Sequence, residues 1–462
     1  MFFNFTDITK QACLIWLCLF FLFNFNTFSQ PSDAFFDLKK DQPTEYKKLY
    51  SEGIKVLLNP QIDKAEETIE EIEEFIDAPG TSEYLKCRAY LLISMIEARY
   101  ENNFSAFRNF RKAHSIYKEN KDLDEKYALP GGLMHLTLSS VPKKYAWILD
   151  ILGLNGSKET GIKLIDQASE NKESFEGREA RLIYPLIANY FLQDQALARK
   201  KADQLNLESN LDLIVFLISN SKARGGNAIV ANINKFDDEV FKLFPPAYFL
   251  IGETFLRKGD YAMARNHLNI FRNKQSSNEY LSAANLNIFL SFYLNNQIDE
   301  GKRFLSTVDY YSEKTEADRY ANEYLKNFDF DSENYKMIWK LRLATDGGFD
   351  RFAQNIIDKD PDFKKREHQT EWIYRKARFF HNTGDIEKAK NDYLSIISLQ
   401  KDNNWYYAPN SCIQLARIYL EEDHPDKAKL YLNKIKSYNN YPYQESIEYE
   451  ANLISREIKN EQ

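Results

Sequence analysis

Six histidines and four cysteines are the residues of this 462-residue chain best suited to metal or nucleophilic chemistry, and their spacing argues against both. His114, His135, His267, His368, His381 and His424 form no His-Glu-x-x-His pair, so the helical zinc site of a metalloprotease is missing. Cys13 and Cys18 sit in an apolar N-terminal run. Cys87 and Cys412 stand far apart, with no other Cys or His at ligand spacing, and read as two buried free thiols. No Gly-x-Ser-x-Gly elbow occurs, and no Ser-x-x-Lys set with its partner motifs can be assembled. The glycine pairs Gly131-Gly132, Gly225-Gly226 and Gly347-Gly348 lack the following Gly-Lys-Ser/Thr of a phosphate loop. Carboxylates are plentiful, but without a predicted cleft they do not make a glycosidase. The expectation is a chain that catalyses nothing and needs no cofactor or metal.

Binding is what remains, so the elements that would position a binding surface decide the reading. Gly (16) and Pro (13) are scarce, and Val occurs only six times, which disfavours a large sheet or barrel. Apolar residues at 44% and charged ones at 28% suffice for packed helices. The clearest unit runs from Pro246 to Asn273, with Ile251-Gly252, Phe255, Gly259-Asp260, Ala264, Leu268 and Phe271 at helical spacing. A small residue at 252 admits a second helix, Gly259-Asp260 turns the chain, and Ala264 lies where the two helices cross. The pattern returns at Ala377, Phe380, Gly384-Asp385, Ala389, Tyr393 and Ile396. It returns again at Leu415-Ala416, Tyr419, Ala428, Leu432 and Ile435.

Weaker copies fit at Phe289, Phe292, Gly301, Leu305 and Val308, and at Leu341, Ala344, Gly348, Ala353 and Ile357. Upstream, Tyr145, Leu149, Leu152, Gly156, Gly161, Ile165 and Ala168 read as one pair, and Leu182, Leu186, Ala198 and Leu205 as another. Ala106, Phe110 and Ala113 mark an early unit. This spacing resembles that of tetratricopeptide-repeat (TPR) proteins. The resemblance implies an all-α fold, a right-handed α-solenoid of stacked helix pairs, because one such pair cannot bury its own faces. Tyr145–Ala168, with Leu149, Leu152, Gly153, Gly156 and Gly161, is also similar to the tetratricopeptide repeat protein 39 family, related to a fungal inclusion-body-clearance protein. The layout from Leu415, with Tyr441 and Tyr443 before the last helix, is similar too. That likeness implies a fold and action through protein contacts.

In repeats of this type, the resemblance implies, partners touch outward positions of the first helix of each pair. Here those positions are Glu371, Tyr374, Arg378 and His381, then Asn410, Ile413, Arg417 and Leu420. Tyr374, Arg378, His381 and Arg417 are the candidate partner-binding residues. Arg378 and Arg417 stand 39 residues apart, about one repeat, and two guanidinium forks on one groove would suit a carboxylate or an acidic peptide. The plainer expectation is that each pairs with a nearby Glu.

The N-terminus gives an address. Lys10 precedes twelve unbroken apolar residues, Ala12 to Phe23, too short to span a bilayer but suited to a signal peptide. Thr27 and Ser29 permit cleavage before Gln30, and the aromatic-rich end resembles Bacteroidetes-type export signals. The product is expected to be periplasmic or envelope-associated, without stable membrane insertion; an uncleaved anchor reaching Phe28 is the alternative. Cys18 follows bulky Trp16-Leu17, so no lipobox is present. The expected organisation is a signal at 1–29, a lead-in and helical cap at 30–81, degenerate TPR-like repeats at 82–308, an irregular insertion at 309–333, and C-terminal repeats with a capping helix at 334–462. Glu66–Glu74 reads as a solvated acidic helix face. The Tyr310, Tyr311, Tyr320, Tyr324 and Phe328 stretch reads as an extra packed helix, with an aromatic ligand platform as the sharper option. A net charge of −7 removes the basic field that nucleic-acid binding needs. The expected partner is a protein or peptide, with a glycan or a purely structural envelope role as the alternatives.

Overall fold

The computed structural model describes residues 44–58, 62–122, 124–141, 146–274, 278–305, 315–326, 334–400 and 404–460. The expected signal segment, the lead-in before 44, and Tyr145, Val308, Tyr310, Tyr311 and Phe328 lie outside them. Among the described residues every regular element is a helix. Contacts divide the chain into two compact units. One holds the residues up to Thr254, Ala262–Ile288 and Phe304–Asn322; the other holds Phe255–Tyr261, Phe289–Arg303 and the chain from Glu323 onward.

In the first unit α1 (Thr44–Leu58) packs on α2 (Ile62–Asp77), and α3 (Glu83–Arg99) on α4 (Asn103–Asn120). Tyr46, Ile72, Ile93, Phe110 and Met134 join these helices and α5 (Ala128–Ser139) in one apolar core. Ser82 starts α3 by accepting from the Leu85 N–H, which satisfies a donor the helix cannot. Along α2 the glutamates point to water while Ala65, Ile72, Phe75 and Ile76 are buried, so the acidic stretch is the solvated face expected of it.

One pairing differs from the sequence expectation. The preceding helix that packs on α7 (Lys158–Glu170) is α5, not α6 (Ala146–Ile151), which carries Leu149 and ends just before Leu152. The reason is close approach. A Cβ on Gly132 would stand 3.0 Å from the Gly161 carbonyl oxygen, and one on Gly161 would stand 3.1 Å from the Gly132 carbonyl oxygen. The glycine pair that carries no phosphate-loop signature is therefore a helix-crossing device.

Next come α8 (Phe175–Ile187) with α9 (Gln195–Ala202), then α10 (Asn210–Lys222) with α11 (Gly226–Ala231). No repeat spacing marks the last pair in the sequence, because α10 is apolar nearly all round and shows no stripe. A capping box between Ser209 and Asp212 starts it. After α12 (Asp238–Leu243), α13 (Pro246–Lys258) and α14 (Tyr261–Lys274) form the expected repeat, with Leu268 against Gly252. Following α15 (Leu281–Tyr293) and α16 (Ile298–Leu305), α17 (Glu316–Lys326) is the extra helix expected within 309–333. Buried Asp318 at its start accepts from the Tyr280 N–H at 2.7 Å and the Ala283 N–H at 3.0 Å, tying the helix to the N-terminus of α15.

The second unit carries α18 (Tyr335–Gly347) with α19 (Asp350–Ile357), α20 (Arg366–Thr383) with α21 (Ile386–Leu399), and α22 (Tyr407–Glu421) with α23 (Pro425–Ile435). Terminal α24 (Gln444–Asn460) packs on both α22 and α23. Each pair also packs on the next, the nearest-neighbour arrangement of an α-solenoid. Gly384 ends α20 at a φ of 86°, a left-handed conformation open to glycine, and Asp385 caps α21 through the Lys388 N–H. Ala389 and Ala428 are fully buried at the crossings, as expected. In the α19 unit the core residue is Ile356 rather than Ile357, one position along the same turn.

Candidate functional site

The first helices of the C-terminal pairs, α18, α20 and α22, and the terminal α24 pack side by side, so side chains on α20 and α22 can reach across to their neighbours. They do so in register. Tyr374 donates its hydroxyl to Asn410 Oδ1 at 3.0 Å, and Arg378 Nη1 donates to Gln414 Oε1 at 2.7 Å. Gln414 in turn donates to Asn410 Oδ1 at 3.3 Å. One turn earlier Arg375 holds Glu371 at 2.7 Å and donates to the Tyr406 hydroxyl at 2.9 Å. Arg417 continues the ladder to α24, with Nε at 2.9 Å and Nη2 at 2.8 Å from Glu450 Oε1.

The four candidate residues are thus neighbours on one ladder, but they differ in access. Tyr374 is buried at 4% exposure beneath Tyr406 and Tyr407, and burial pushes its phenol up to about 12. It positions the face rather than presenting itself to a partner. Arg378 and His381 are half-buried, and Arg417 is exposed. Burial first, and then the charges of Arg378 and Arg417, together lower His381 to about 4, so the ring is neutral near pH 7. Its Nδ1 lies 3.4 Å from the Tyr393 hydroxyl.

Besides Tyr374, two further expected outward positions are corrected. Ile413 is fully buried in the apolar core shared by α22, α23 and α24, and Glu371 is buried by its ion pair with Arg375. Regular spacing along a helix does not place a residue outside when the neighbouring helix covers it. The expectation that the arginines pair with nearby Glu holds for Arg417; Arg378 takes an uncharged Gln instead. Arg375, Gln414 and Glu450 were not singled out. The Glu371–Arg375 spacing of four was a legible signal, whereas Gln414 and Glu450 are identified only by the helices that face them.

A second polar cluster lies in the first unit. Arg88 on α3 and the Tyr50 hydroxyl on α1 both bind Glu179 on α8, and Tyr84 donates to Glu176 at 2.7 Å. The Arg88 guanidinium also lies 5.5 Å from the Tyr50 ring centre and 5.6 Å from that of Phe175. The cluster is buried, with Arg88 paired to Glu179 and Glu176 held by the Tyr84 hydroxyl, which makes it a structural tie between helices distant in sequence. Cys87 and Cys412 are buried and unpaired, each thiol pushed by burial up to about 12, far from nucleophilic use. Among the described residues no group of His, Cys, Asp and Glu is arranged to hold a metal, and no helix is long and apolar enough to cross a membrane.

The family model for the tetratricopeptide repeat matches residues 373–403 and 409–441, the α20–α21 and α22–α23 pairs that build this ladder. No curated protein matches the chain. Among solved structures the chain is similar to the P58(IPK) TPR domain at 14% identity, over 91% of this chain and 99% of that one, with a TM-score of 0.22, a likeness too slight to carry anything further. The likeness to tetratricopeptide repeats thus rests on these two C-terminal helix pairs.

Proposed function

We propose that this chain is a non-catalytic scaffold that binds a protein or peptide partner on the first-helix face of its C-terminal repeats. The observation that carries this reading is Arg417. It is the exposed guanidinium of the ladder, held only by a partly exposed Glu450 and set beside a neutral His381. An acidic side chain or C-terminus from a partner can replace Glu450 at little cost, since an exposed ion pair stabilises by only about 0–1 kcal/mol. Tyr443, exposed beside Tyr406, extends the same face with aromatic surface.

The test is photo-cross-linking from a probe at exposed Tyr443 on the same face, which leaves Arg417 in place, compared with one at Lys436 beyond the C-terminus of α23. Partner adducts from 443 alone support the reading; adducts from both or neither position overturn it. The double change Arg378→Glu, Arg417→Glu should abolish those adducts while helix content is kept. We further propose that residues 1–29 direct export to the periplasm or envelope and are removed before Gln30. The support is Lys10, the Ala12–Phe23 run and the small residues Thr27 and Ser29. A mature N-terminus at Gln30 is the expected result of N-terminal sequencing, and an intact Met1 in the membrane fraction would favour an anchor.

A further inference from the structure

A cavity of about 440 Å³ opens in the first unit where the C-terminal end of α4, the start of α5 and α7 meet. That volume falls in the range of roughly 300–1,000 Å³ typical of small-molecule pockets. Tyr117 and Tyr127, only 7% and 4% exposed, line it. Neither hydroxyl makes a hydrogen bond to any described residue, although buried phenols ordinarily find a partner. The Tyr117 ring is pressed against Gly131, where a Cβ would stand 2.4 Å from Cε2. The ring is therefore held in place without any help from its hydroxyl.

His135 lines the same cavity, its ring edge-on to Tyr117 at 6.2 Å. Its Nδ1 accepts the Ser157 backbone N–H at 3.3 Å, which leaves the proton of the neutral ring on Nε2. Burial and the Lys121 charge lower the His135 pKa, so the neutral ring is the form present. The floor thus offers two phenols and one imidazole N–H, all uncharged, while Asp122, Asp124 and Glu125 line the cavity with Lys121.

We propose that this cavity is a binding site for a small neutral polyol, a mono- or disaccharide in chemical class. An anion is repelled by three carboxylates; Asp122 and Glu125 are exposed at the rim, where water competes for a cation and Lys121 offsets one charge. A ring of hydroxyls donates to the carboxylates and accepts from the phenols and imidazole, with its C–H faces against Tyr117, Tyr127 and Leu164. The site is separate from the peptide face of the C-terminal repeats and does not depend on it.

The test is isothermal titration calorimetry and saturation-transfer NMR on the full chain. The probes are glucose, N-acetylglucosamine and sucrose as neutral polyols, lysine methyl ester as a cation and succinate as an anion. Saturable binding of a neutral sugar is expected, weakened about five- to tenfold by either Tyr117→Phe or Tyr127→Phe, the loss of one hydrogen bond. Exposed Thr160 at the opening can be changed to Trp without touching the core, and Thr160→Trp should abolish binding. The proposal is overturned if none of the three sugars binds, if the cation or anion probe binds in their place, or if sugar binding survives Thr160→Trp in a chain with unchanged circular dichroism.

Discussion

Gly132 and Gly161 face each other across the α5–α7 crossing, each so close that an added Cβ would meet the other's carbonyl oxygen at 3.0–3.1 Å. Ala in place of Gly favours an isolated helix by about 1 kcal/mol. Here one obstacle is backbone, which cannot rotate aside, and the added Cβ would also stand 2.8 Å from Ile165 Cδ1. Gly132→Ala should therefore destabilise the fold by about 1–3 kcal/mol, the range of overpacked cores, seen as a lower thermal midpoint. An unchanged or raised midpoint would show that the helices can separate freely.

The Arg88–Glu179 pair joins α3 to α8 in a dry interior. Removing one partner leaves the other charge buried, so Glu179→Ala should cost about 3–5 kcal/mol in urea unfolding. Tyr50→Phe, which removes one hydrogen bond to Glu179, should cost only about 1 kcal/mol. Equal losses for the two variants would contradict an ionic tie.

His381 is lowered from its ordinary 6.5 to about 4 in the folded chain. The unfolded chain therefore takes up a proton first as pH falls. The stability this histidine contributes is complete above pH 6.5 and is lost as pH drops toward 4. His381→Gln should flatten the fall in stability between those values by on the order of 1–3 kcal/mol, read from denaturant midpoints across pH.

Asp318 caps α15 from α17, and burial raises its carboxyl above the usual range despite the N–H donors and Thr315 that oppose this. Asp318→Ala should free α17 and lower stability by about 1–2 kcal/mol, the value of a lost cap. Hydrogen exchange should then rise at Tyr280 and Ala283 first; uniform exchange would count against a local role.

Glu450 competes with any acidic partner for Arg417. Glu450→Gln should tighten binding of a fluorescein-labelled oligoglutamate a few-fold in anisotropy titrations, and change folding stability by less than about 1 kcal/mol. Weaker binding would place Glu450 in the partner's own site.

Amino-acid order by itself determined the helical class and the positions of the strong repeats. A 3.6-residue apolar period with alanines at 264, 389 and 428 and turns at Gly259-Asp260 and Gly384-Asp385 admits little else, because these are local preferences of the chain. All three alanines are fully buried. Tertiary structure alone decided which helix α7 pairs with. Adjacency in sequence pointed to Leu149–Leu152, while the narrow crossing required the glycines of α5, which a linear pattern does not distinguish from a loop. The same holds for access on the ladder. Tyr374, Arg378 and His381 share a helical stripe by sequence and Arg417 holds an equivalent position one repeat on, but their exposure depends on what the next helix lays over them. Arg88 and Glu179 lie 91 positions apart, and only packing brings their opposite charges into one dry space.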